Sequence, residues 1–326
     1  MRRRGLHTLA LSAGLAFLAP ATALAQGAWL PGKGEAIVGF QYQYTKTDAH
    51  LFSSPIFFGV DFGSKSIDFG TTQSQVASLD AEIGVTDRFA LTGAIAFIGS
   101  RYIEGGTQAL GPFNAESALD DGTWHSSFQD GRIGARYRAL DDGAWALAPF
   151  ISYGIPTTDY GTIGHSAVGR GLTELQLGVH WGRILSSSGK PFGYLQGTVS
   201  HAFMEDVRDI SLSRTSALLG FGYFLDSVTL NVWTLYQNMH GGIDWARDLD
   251  AHDEHLGEAL HDHDQAAAAD FWRAGLGASV PVSLSFEVYA TVSTTLWGIN
   301  THDATALVVG VTWNFQAFGG TDWWYE

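Results

Sequence analysis

The stretch "LSFEVYATVSTTLW", residues 284–297, decides the fold of this chain. Its even-numbered positions, from Leu284 to Leu296, are apolar apart from one threonine, and its odd-numbered positions, from Ser285 to Trp297, are mostly polar. Successive side chains of a strand point to opposite faces, so this alternation predicts a strand with one oily and one wet face. The strand is long enough to cross a bilayer at a tilt.

The same period of two recurs along the chain and predicts twelve strands in all. They cover roughly residues 34–46, 72–85, 89–103, 124–139, 145–156, 172–184, 192–203, 210–224, 228–239, 270–280, 284–297 and 305–315. The connections between them alternate in length. The short ones lie near residues 86–88, 141–143, 186–191, 226–227 and 281–283. The long ones lie near residues 47–71, 104–123, 157–171, 204–209, 240–269 and 298–304.

This pattern is typical of outer-membrane proteins, whose short turns face the periplasm and whose long loops face outward. In hydrocarbon every backbone N–H and C=O needs an internal partner, so strands cross a membrane only in a sheet that closes on itself. The sequence therefore predicts an all-β fold, a closed antiparallel transmembrane β-barrel of about twelve strands. A soluble β-sandwich is the alternative, and it would need shorter strands and a dry interior.

The wet face of the predicted strands carries charges that a dry interior would not hold. These predicted lumen-lining residues are Asp80, Glu82, Asp130, Arg132, Arg136, Glu174, His180, Arg214, Arg273 and Glu287. Two roles remain open for them: they line a selective path, or they pair with each other and fill the barrel. Arg132 and Arg136 are the best candidates for a cationic strip, with Asp80 and Glu82 as its acidic counterpart.

The first 25 residues have the composition of a secretory signal. Arg2, Arg3 and Arg4 precede an apolar run, and Ala23-Leu24-Ala25 follows it, so cleavage is expected near Ala25. The barrel domain then covers residues 26–326. Without the three arginines the chain has 15 basic and 33 acidic residues, a net charge of -18, which excludes nucleic acid as a partner. The chain has no cysteine, so it uses no disulfides.

The stretch "HDEHLGEALHDHD", residues 252–264, raises the question of a metal site. Binding would need two to four of the nearby histidines to converge, namely His240, His252, His255, His261 and His263. No thiol and no HExxH pattern supports this, and a solvated acidic loop is the simpler interpretation. The sequence therefore predicts no metal and no cofactor, with a ligand- or metal-binding loop on a non-conducting barrel as the alternative.

Two further features bear on function. The loop that follows the first strand is rich in apolar residues: Phe52, Ile56, Phe57, Phe58, Val60, Phe62, Ile67 and Phe69. We expect them to pack in the barrel mouth or to meet a hydrophobic ligand. Lipid hydrolysis would need a serine and a histidine near the outer rim, and Ser200-His201 is the nearest candidate. The sequence predicts a non-enzymatic protein, with a lipid hydrolase as an alternative.

Two segments resemble a known family. The stretches "AWLPGKGEAIVGFQYQY", residues 28–44, and "LDAEIGVTDRFALTGAI", residues 79–95, are similar to outer-membrane β-barrel proteins of the MetA pathway of phenol degradation. The resemblance implies a barrel that passes small, aromatic compounds, and it transfers no functional residue. One departure is the carboxyl end, where the chain continues past Phe315 to Trp323-Trp324-Tyr325.

Together these observations predict a passive channel or transporter for small molecules, hydrophobic or aromatic ones among them, in a Gram-negative outer membrane. The expected partners are outer-membrane lipid and lipopolysaccharide, the barrel-insertion machinery and the small-molecule cargo.

Overall fold

The computed structural model describes residues 27–51, 56–57, 60–61, 66–67, 70–104, 119–162, 164–244 and 263–318. Its strands are β1 (Glu35–Leu51), β2 (Ile56–Phe57), β3 (Val60–Asp61), β4 (Ser66–Ile67), β5 (Gly70–Thr86), β6 (Phe89–Glu104), β7 (His125–Phe128), β8 (Gly131–Tyr137), β9 (Leu140–Asp141), β10 (Trp145–Ile155), β11 (Glu174–Ser187), β12 (Lys190–Met204), β13 (Leu212–Phe224), β14 (Thr229–Gly241), β15 (Asp270–Pro281), β16 (Phe286–Ile299) and β17 (Thr301–Gln316). One short helix, α1 (His263–Ala266), precedes β15.

Strands β2 and β3 pair with each other in a small separate sheet, and the other strands form one closed antiparallel barrel. From β10 to β17 each strand pairs with the next, β17 pairs with β1, and β1 continues through β5, β6 and β8 back to β10. Strands β7 and β8 are two pieces of one crossing, since both pair with β6. Within the described residues the wall therefore has twelve crossings, as the alternation predicts. No helix in this part of the chain is long and apolar enough to span a membrane.

One connection that the sequence predicts to be long is short in the structure. The segment 298–304, expected to be a long loop, is a tight hairpin in which Asn300 alone separates β16 from β17. Asn300 adopts a φ of 49°, a left-handed conformation that asparagine tolerates better than most residues. Strands β16 and β17 therefore extend toward the loop end of the barrel, beyond the part of each strand in which apolar residues alternate.

The outer face of the barrel is apolar over a band of limited height. On β17 the outward residues from Leu307 to Phe315 are apolar, and the next one toward the loops is Thr305. On β1 the change falls at the same level, because Tyr44 pairs with Leu307 and the next outward residue, Lys46, pairs with Thr305. Nine residues of a tilted strand give a band roughly 25 Å tall, the height of the hydrocarbon layer of an outer membrane.

Aromatic side chains mark the end of this band on the side of the short turns. Those that are exposed there are Phe89, Tyr137, Trp145, Phe192, Tyr223, Phe286 and Trp313. Trp313 stacks on both Phe286 and Phe315, with ring centroids 5.7 and 4.2 Å apart. Such a girdle is expected where a barrel meets the membrane–water interface.

The strands differ in length around the barrel. β1 and β5 have 17 residues each, and β6 and β17 have 16. β10 has only 11. At about 3.3 Å per residue and a tilt near 40°, a strand of 17 residues is roughly 15 Å taller than one of 11, so the wall has an unequal height.

The interior is filled from both ends. At the end of the short turns, Leu30 from the segment before β1 packs on Ala90 and Ala148, which point inward from β6 and β10. At the loop end an apolar cluster joins the connections outside β11 to β15. Its buried members are Leu172, Val207, Leu212, Met239, Ile243, Ala266 and Ala269.

Candidate functional site

The ten side chains predicted to line the lumen lie on the inner face of the wall. Eight of them are buried: Asp80, Glu82, Arg136, Glu174, His180, Arg214, Arg273 and Glu287. Asp130 and Arg132 are partly buried. Their sequence neighbours on the same strands, such as Leu79 and Ile133, are exposed on the outer face.

The first charge pair lies near the periplasmic end. Arg136 Nη1 donates to both oxygens of Glu82 at 2.6 Å, and both side chains are almost completely buried. Arg136 Nη2 also donates to the carbonyl oxygen of Gly27, which precedes the first strand. This arginine therefore ties the barrel wall to the N-terminal segment inside it.

The N-terminal segment, residues 27–33, closes this end of the lumen. Arg138 donates to the carbonyl oxygen of Leu30 at 2.6 Å. The ring of Trp29 meets Tyr194 edge-on, with centroids 6.5 Å apart. It also lies so close to Gly182 that a Cβ there would come within 2.6 Å of the ring. The segment is thus held by a few hydrogen bonds and ring contacts, without entering the sheet.

A second set of charges surrounds Glu174 higher in the lumen. Arg132 Nη2 donates to Glu174 Oε1 at 2.8 Å, and Arg214 Nη2 lies 2.5 Å from Glu174 Oε2. Arg132 also donates to Gln176 at 2.7 Å and to Ser152 at 3.2 Å. Arg136 and Arg132, the residues of the expected cationic strip, thus each have a carboxylate partner, and Glu82 is the one of the two expected acidic counterparts that supplies such a partner.

The remaining predicted residues have varied surroundings. His180 shares a hydrogen bond with Thr198 at 2.8 Å and stacks on Phe150 at 4.4 Å. The carboxylate of Asp80 occupies space that the missing side chain of Gly39 leaves open. Arg273 lies over the ring of Phe271, with its guanidinium carbon 4.5 Å from the centroid.

The connection between β10 and β11 folds back into the barrel mouth. Val168 packs on Val76 and Ile98, which point inward from β5 and β6. Tyr160 donates a hydrogen bond to Asp130, and the amide of Gly171 donates to the Tyr160 oxygen at 2.9 Å. This connection therefore crosses the mouth and covers the charges around Glu174 from the outside.

Asp120 anchors the inner end of that connection. Its carboxylate accepts from the backbone amides of His165 at 2.9 Å and Ser166 at 3.0 Å, and from the His165 ring at 3.1 Å. Burial raises the pKa of Asp120, but the hydrogen bonds and charge of His165 outweigh it, so the pKa lies below its ordinary value. The carboxylate therefore stays charged and keeps its partners.

Three histidine rings meet beside this anchor. His50 lies 5.0 Å from His165 and 4.4 Å from His302, centroid to centroid, and Tyr102 stacks on His165 at 4.6 Å. Among the residues that the structure describes, no group of three or more histidine, aspartate or glutamate side chains is arranged to hold a metal ion. Most of the histidine-rich stretch 252–264 lies outside those residues. Most of the apolar loop 52–69 and the tail Trp323-Trp324-Tyr325 lie outside them as well.

The Ser200-His201 pair is not arranged for catalysis. Ser200 is buried on the inner face, where it accepts from Gln176 at 2.9 Å. His201 is on the outer face and shares a hydrogen bond with Thr215 at 3.0 Å. Thr215 in turn contacts His240 at 2.8 Å, so His240 joins this outer cluster. Adjacent residues of a strand point to opposite sides, which separates the serine from the histidine.

The sequence did not identify several side chains that this site uses. Arg170, Tyr160 and Met204 reach the charges around Glu174, and Trp29 fills the periplasmic end. One signal was available for Arg170, which stands between Gly169 and Gly171 in an otherwise uncharged stretch. Ala28-Trp29-Leu30 likewise forms an apolar group just ahead of the first strand.

Two cavities flank the charge cluster. A small one of about 20 Å³, enough for one water molecule, is lined by Arg132, Arg136, Gln176 and His180. A larger one of about 590 Å³ opens on the loop side and is bordered by Thr157, Tyr160, Gly171 and Gln265.

Comparison with solved structures agrees with this geometry. The chain resembles the COG4313 outer membrane channel from Pseudomonas putida F1, with a TM-score of 0.61 and 15% identity over 88% of this chain and 97% of that one. The fold is that of an outer-membrane β-barrel. NanC porin (TM-score 0.48, 9% identity, 85% of this chain and 98% of that one) is also similar. So is the translocator domain of the autotransporter NalP from Neisseria meningitidis (TM-score 0.48, 12% identity, 89% and 90%). No protein-family model matches the chain. No curated protein matches it either.

Proposed function

We propose that this protein is a passive, non-enzymatic channel for small molecules in a Gram-negative outer membrane, exported with a signal that is removed near Ala25. The observation that carries the proposal is how the lumen is closed. The closing parts are the segment before β1 and the connection between β10 and β11, and neither belongs to the barrel wall. Both can move aside without breaking a ladder hydrogen bond of the sheet.

Two further points support a channel. The inner wall is lined with groups that hydrate well once water enters, including buried Gln41, Gln43 and Gln237. The similar solved structure from Pseudomonas putida F1 is described as an outer membrane channel. The likeness of residues 28–44 and 79–95 to the MetA-pathway barrels extends the proposal to small aromatic compounds as cargo.

Ion currents across planar bilayers test this function. We expect discrete current steps for the natural protein, and at least a twofold larger conductance for Trp29→Ala, because that ring fills the periplasmic end. Trp272→Ala is the matched control, since Trp272 is exposed on the outer face. Arg132→Glu should shift the selectivity toward cations, because it reverses a charge on the inner wall.

If none of the four proteins carries a current, the result would contradict the proposal. It would favour the alternative, a closed surface barrel whose loops bind a ligand or metal. Zinc uptake that depends on the loop histidines would then support that alternative. Lipid hydrolysis by the purified protein, abolished by His201→Ala, would instead favour an enzyme.

A further inference from the structure

We propose that Lys46, Gln73 and Arg101 bind the phosphate groups of lipid A, the membrane anchor of lipopolysaccharide, on the outer face of the barrel. This inference goes beyond the proposed channel and does not depend on it, because the outer face meets the membrane whether or not the lumen conducts. It assigns one side of the barrel to a phosphorylated lipid.

The three side chains form a row at one level of the wall. Lys46 on β1 pairs with Gln73 on β5, and Gln73 pairs with Arg101 on β6. They point outward, since their sequence neighbours Thr45, Thr72 and Ser100 are buried in the interior. Neighbouring strands are about 4.8 Å apart, so the backbones that carry the two cations are roughly 10 Å apart.

The row lies directly above the apolar band. Lys46 pairs with Thr305 of β17, and the next outward residue toward the short turns is Leu307, where the band ends. Below the row, the outer faces of β1, β5 and β6 are apolar and exposed, as the side chains of Phe40, Leu79 and Phe97 show. A lipid whose acyl chains lie against this surface brings its headgroup to the level of the row.

The positive charge of Arg101 has no carboxylate partner in the part of the chain that the structure describes. Its Nε and Nη2 both donate to Gln73 Oε1, at 3.0 and 2.7 Å. Gln73 is neutral, so it holds the guanidinium in place and leaves its charge uncompensated. Arginine binds phosphate oxygens through charge-assisted hydrogen bonds, and Nη1 is left to donate them.

Trp124 supports Arg101 from the membrane side. The guanidinium carbon lies 4.9 Å from the centre of the indole ring. A Cβ on Gly99, two residues closer to the band on β6, would lie 3.7 Å from the same ring. The indole therefore fills the step between the arginine and the apolar band, where tryptophan is typical of a membrane–water interface.

Lys46 supplies the second cation. Its Nζ lies 2.6 Å from Asp48 Oδ1, and the two side chains are 48% and 60% exposed. An exposed ion pair of this kind contributes little to stability, so a phosphate group can take the place of the carboxylate. Asp48 and Asp303 both lie one step further toward the loop end, outside the row.

The spacing of the two cations favours lipid A among membrane lipids. Lipid A carries a phosphate group at each end of a disaccharide, whereas a glycerophospholipid carries one phosphodiester. Lys46 and Arg101 are separated by one strand, so each can meet one phosphate group while Gln73 lies beneath the sugar.

Arg183 provides a matched control near the short turns. Its guanidinium carbon lies 4.7 Å from the ring centre of Trp145, much like that of Arg101 over Trp124. In the register, however, Arg183 pairs with Trp145 and Leu195, so no second cation stands beside it on either neighbouring strand.

Native mass spectrometry of the full-length protein, refolded in detergent so that it carries no lipopolysaccharide, tests the site. The probes are lipid A, lipid A from which both phosphate groups have been removed, and inorganic phosphate. We expect lipid A to bind at least about tenfold more tightly than either of the others. Arg101→Gln should weaken lipid A binding at least about fivefold, while Arg183→Gln should leave it unchanged.

Two further variants make the test independent of one substitution. Lys46→Gln should weaken lipid A binding by about threefold, and Arg101→Lys, which keeps the charge, should bind more tightly than Arg101→Gln. Equal binding of lipid A with and without its phosphate groups, or an Arg101→Gln protein that binds like Arg183→Gln, would overturn the inference. If inorganic phosphate binds as tightly as lipid A, the row is a general phosphate site and the assignment to a lipid is wrong.

Discussion

Arg136 illustrates what a buried charge requires at the scale of one residue. It is among the largest fully buried side chains, and it is stabilised by Glu82 and by the carbonyl oxygen of Gly27. Removing one partner of a buried pair leaves the other charge without compensation, which typically costs about 3–5 kcal/mol, whereas removing both is often nearly neutral.

We therefore expect Arg136→Met to lower the free energy of unfolding by about 3 kcal/mol. The double variant Arg136→Met with Glu82→Gln should recover at least half of that loss, because no unpaired carboxylate remains. Urea titration in lipid vesicles measures both values. Additive effects of the two single changes would show that the pair is not coupled.

Asp120 gives a pH dependence at the same scale. Because its pKa in the folded protein lies below the ordinary value, its contribution to stability is present above that value and is lost as the pH falls through the folded pKa. At pH 6 we expect Asp120→Asn to lower the hydrogen-exchange protection of the His165 and Ser166 amides about tenfold, equivalent to about 1.4 kcal/mol.

The difference between the two proteins should shrink as the pH falls through the lowered pKa of Asp120, because the natural carboxyl group then becomes protonated. Equal protection at pH 6 would mean that Asp120 does not anchor this connection.

At the scale of the strand, the wall repeatedly pairs an aromatic residue with a glycine on the next strand. The pairs are Phe150 with Gly178, Trp181 with Gly197, Tyr194 with Gly222, Trp233 with Gly275, and Tyr289 with Gly310. In each pair a Cβ on the glycine would fall within 3 Å of the ring, so the ring lies flat on the neighbouring backbone. This arrangement covers glycines that would otherwise weaken the sheet.

Gly275→Ala should consequently lower the free energy of unfolding by about 1–3 kcal/mol, since the new methyl group collides with the ring of Trp233. Gly220→Ala is the control, because its Cβ would meet nothing closer than 3.5 Å. Tryptophan fluorescence during urea unfolding measures both. An equal loss of unfolding free energy in the two variants would show that the loss comes from chain entropy and not from the collision with Trp233.

The sequence predicts the strands well because their alternation is a local signal. The twelve crossings and the inward position of Glu82 and Glu174 follow from counting by twos along each segment. The ion-pair partners of Glu82 and Glu174 cannot be predicted in this way, because the register between distant strands decides which arginine meets which carboxylate. The prediction of a long loop around Asn300 was wrong. Strands β16 and β17 extend beyond the membrane into water, where their outer face is no longer apolar, so the alternation that marks a strand is lost there.

The whole molecule is governed by the apolar band on its outer face. Leu276, on β15, lies in this band and is 64% exposed to the surroundings of the barrel. An arginine near the midplane of a barrel's lipid face costs about 2–4 kcal/mol, and the cost falls to about 0–1 kcal/mol near the interface.

Leu276→Arg should therefore lower the free energy of unfolding in lipid vesicles by about 2–4 kcal/mol. Val282→Arg, equally exposed but in a periplasmic turn, should change it by less than about 1 kcal/mol. Similar values for the two variants would contradict a membrane-spanning orientation of this band.

The residues that fill the lumen could not be predicted from the sequence, because their positions depend on the whole molecule. Trp29 and Val168 are far apart in sequence from the residues they contact, and no periodic pattern surrounds either of them. Their positions depend on the cross-section of the finished barrel, which only closure of β1 on β17 defines.

The unequal height of the rim has a practical consequence for topology mapping. Asp48, on the tall side, is exposed and lies above the apolar band, and the natural chain contains no cysteine. A single Asp48→Cys substitution should react with a membrane-impermeant maleimide on intact cells, whereas Ser227→Cys, in a turn at the opposite end, should react only after lysis. If the maleimide labels both variants before lysis, or neither of them, the assigned orientation is refuted.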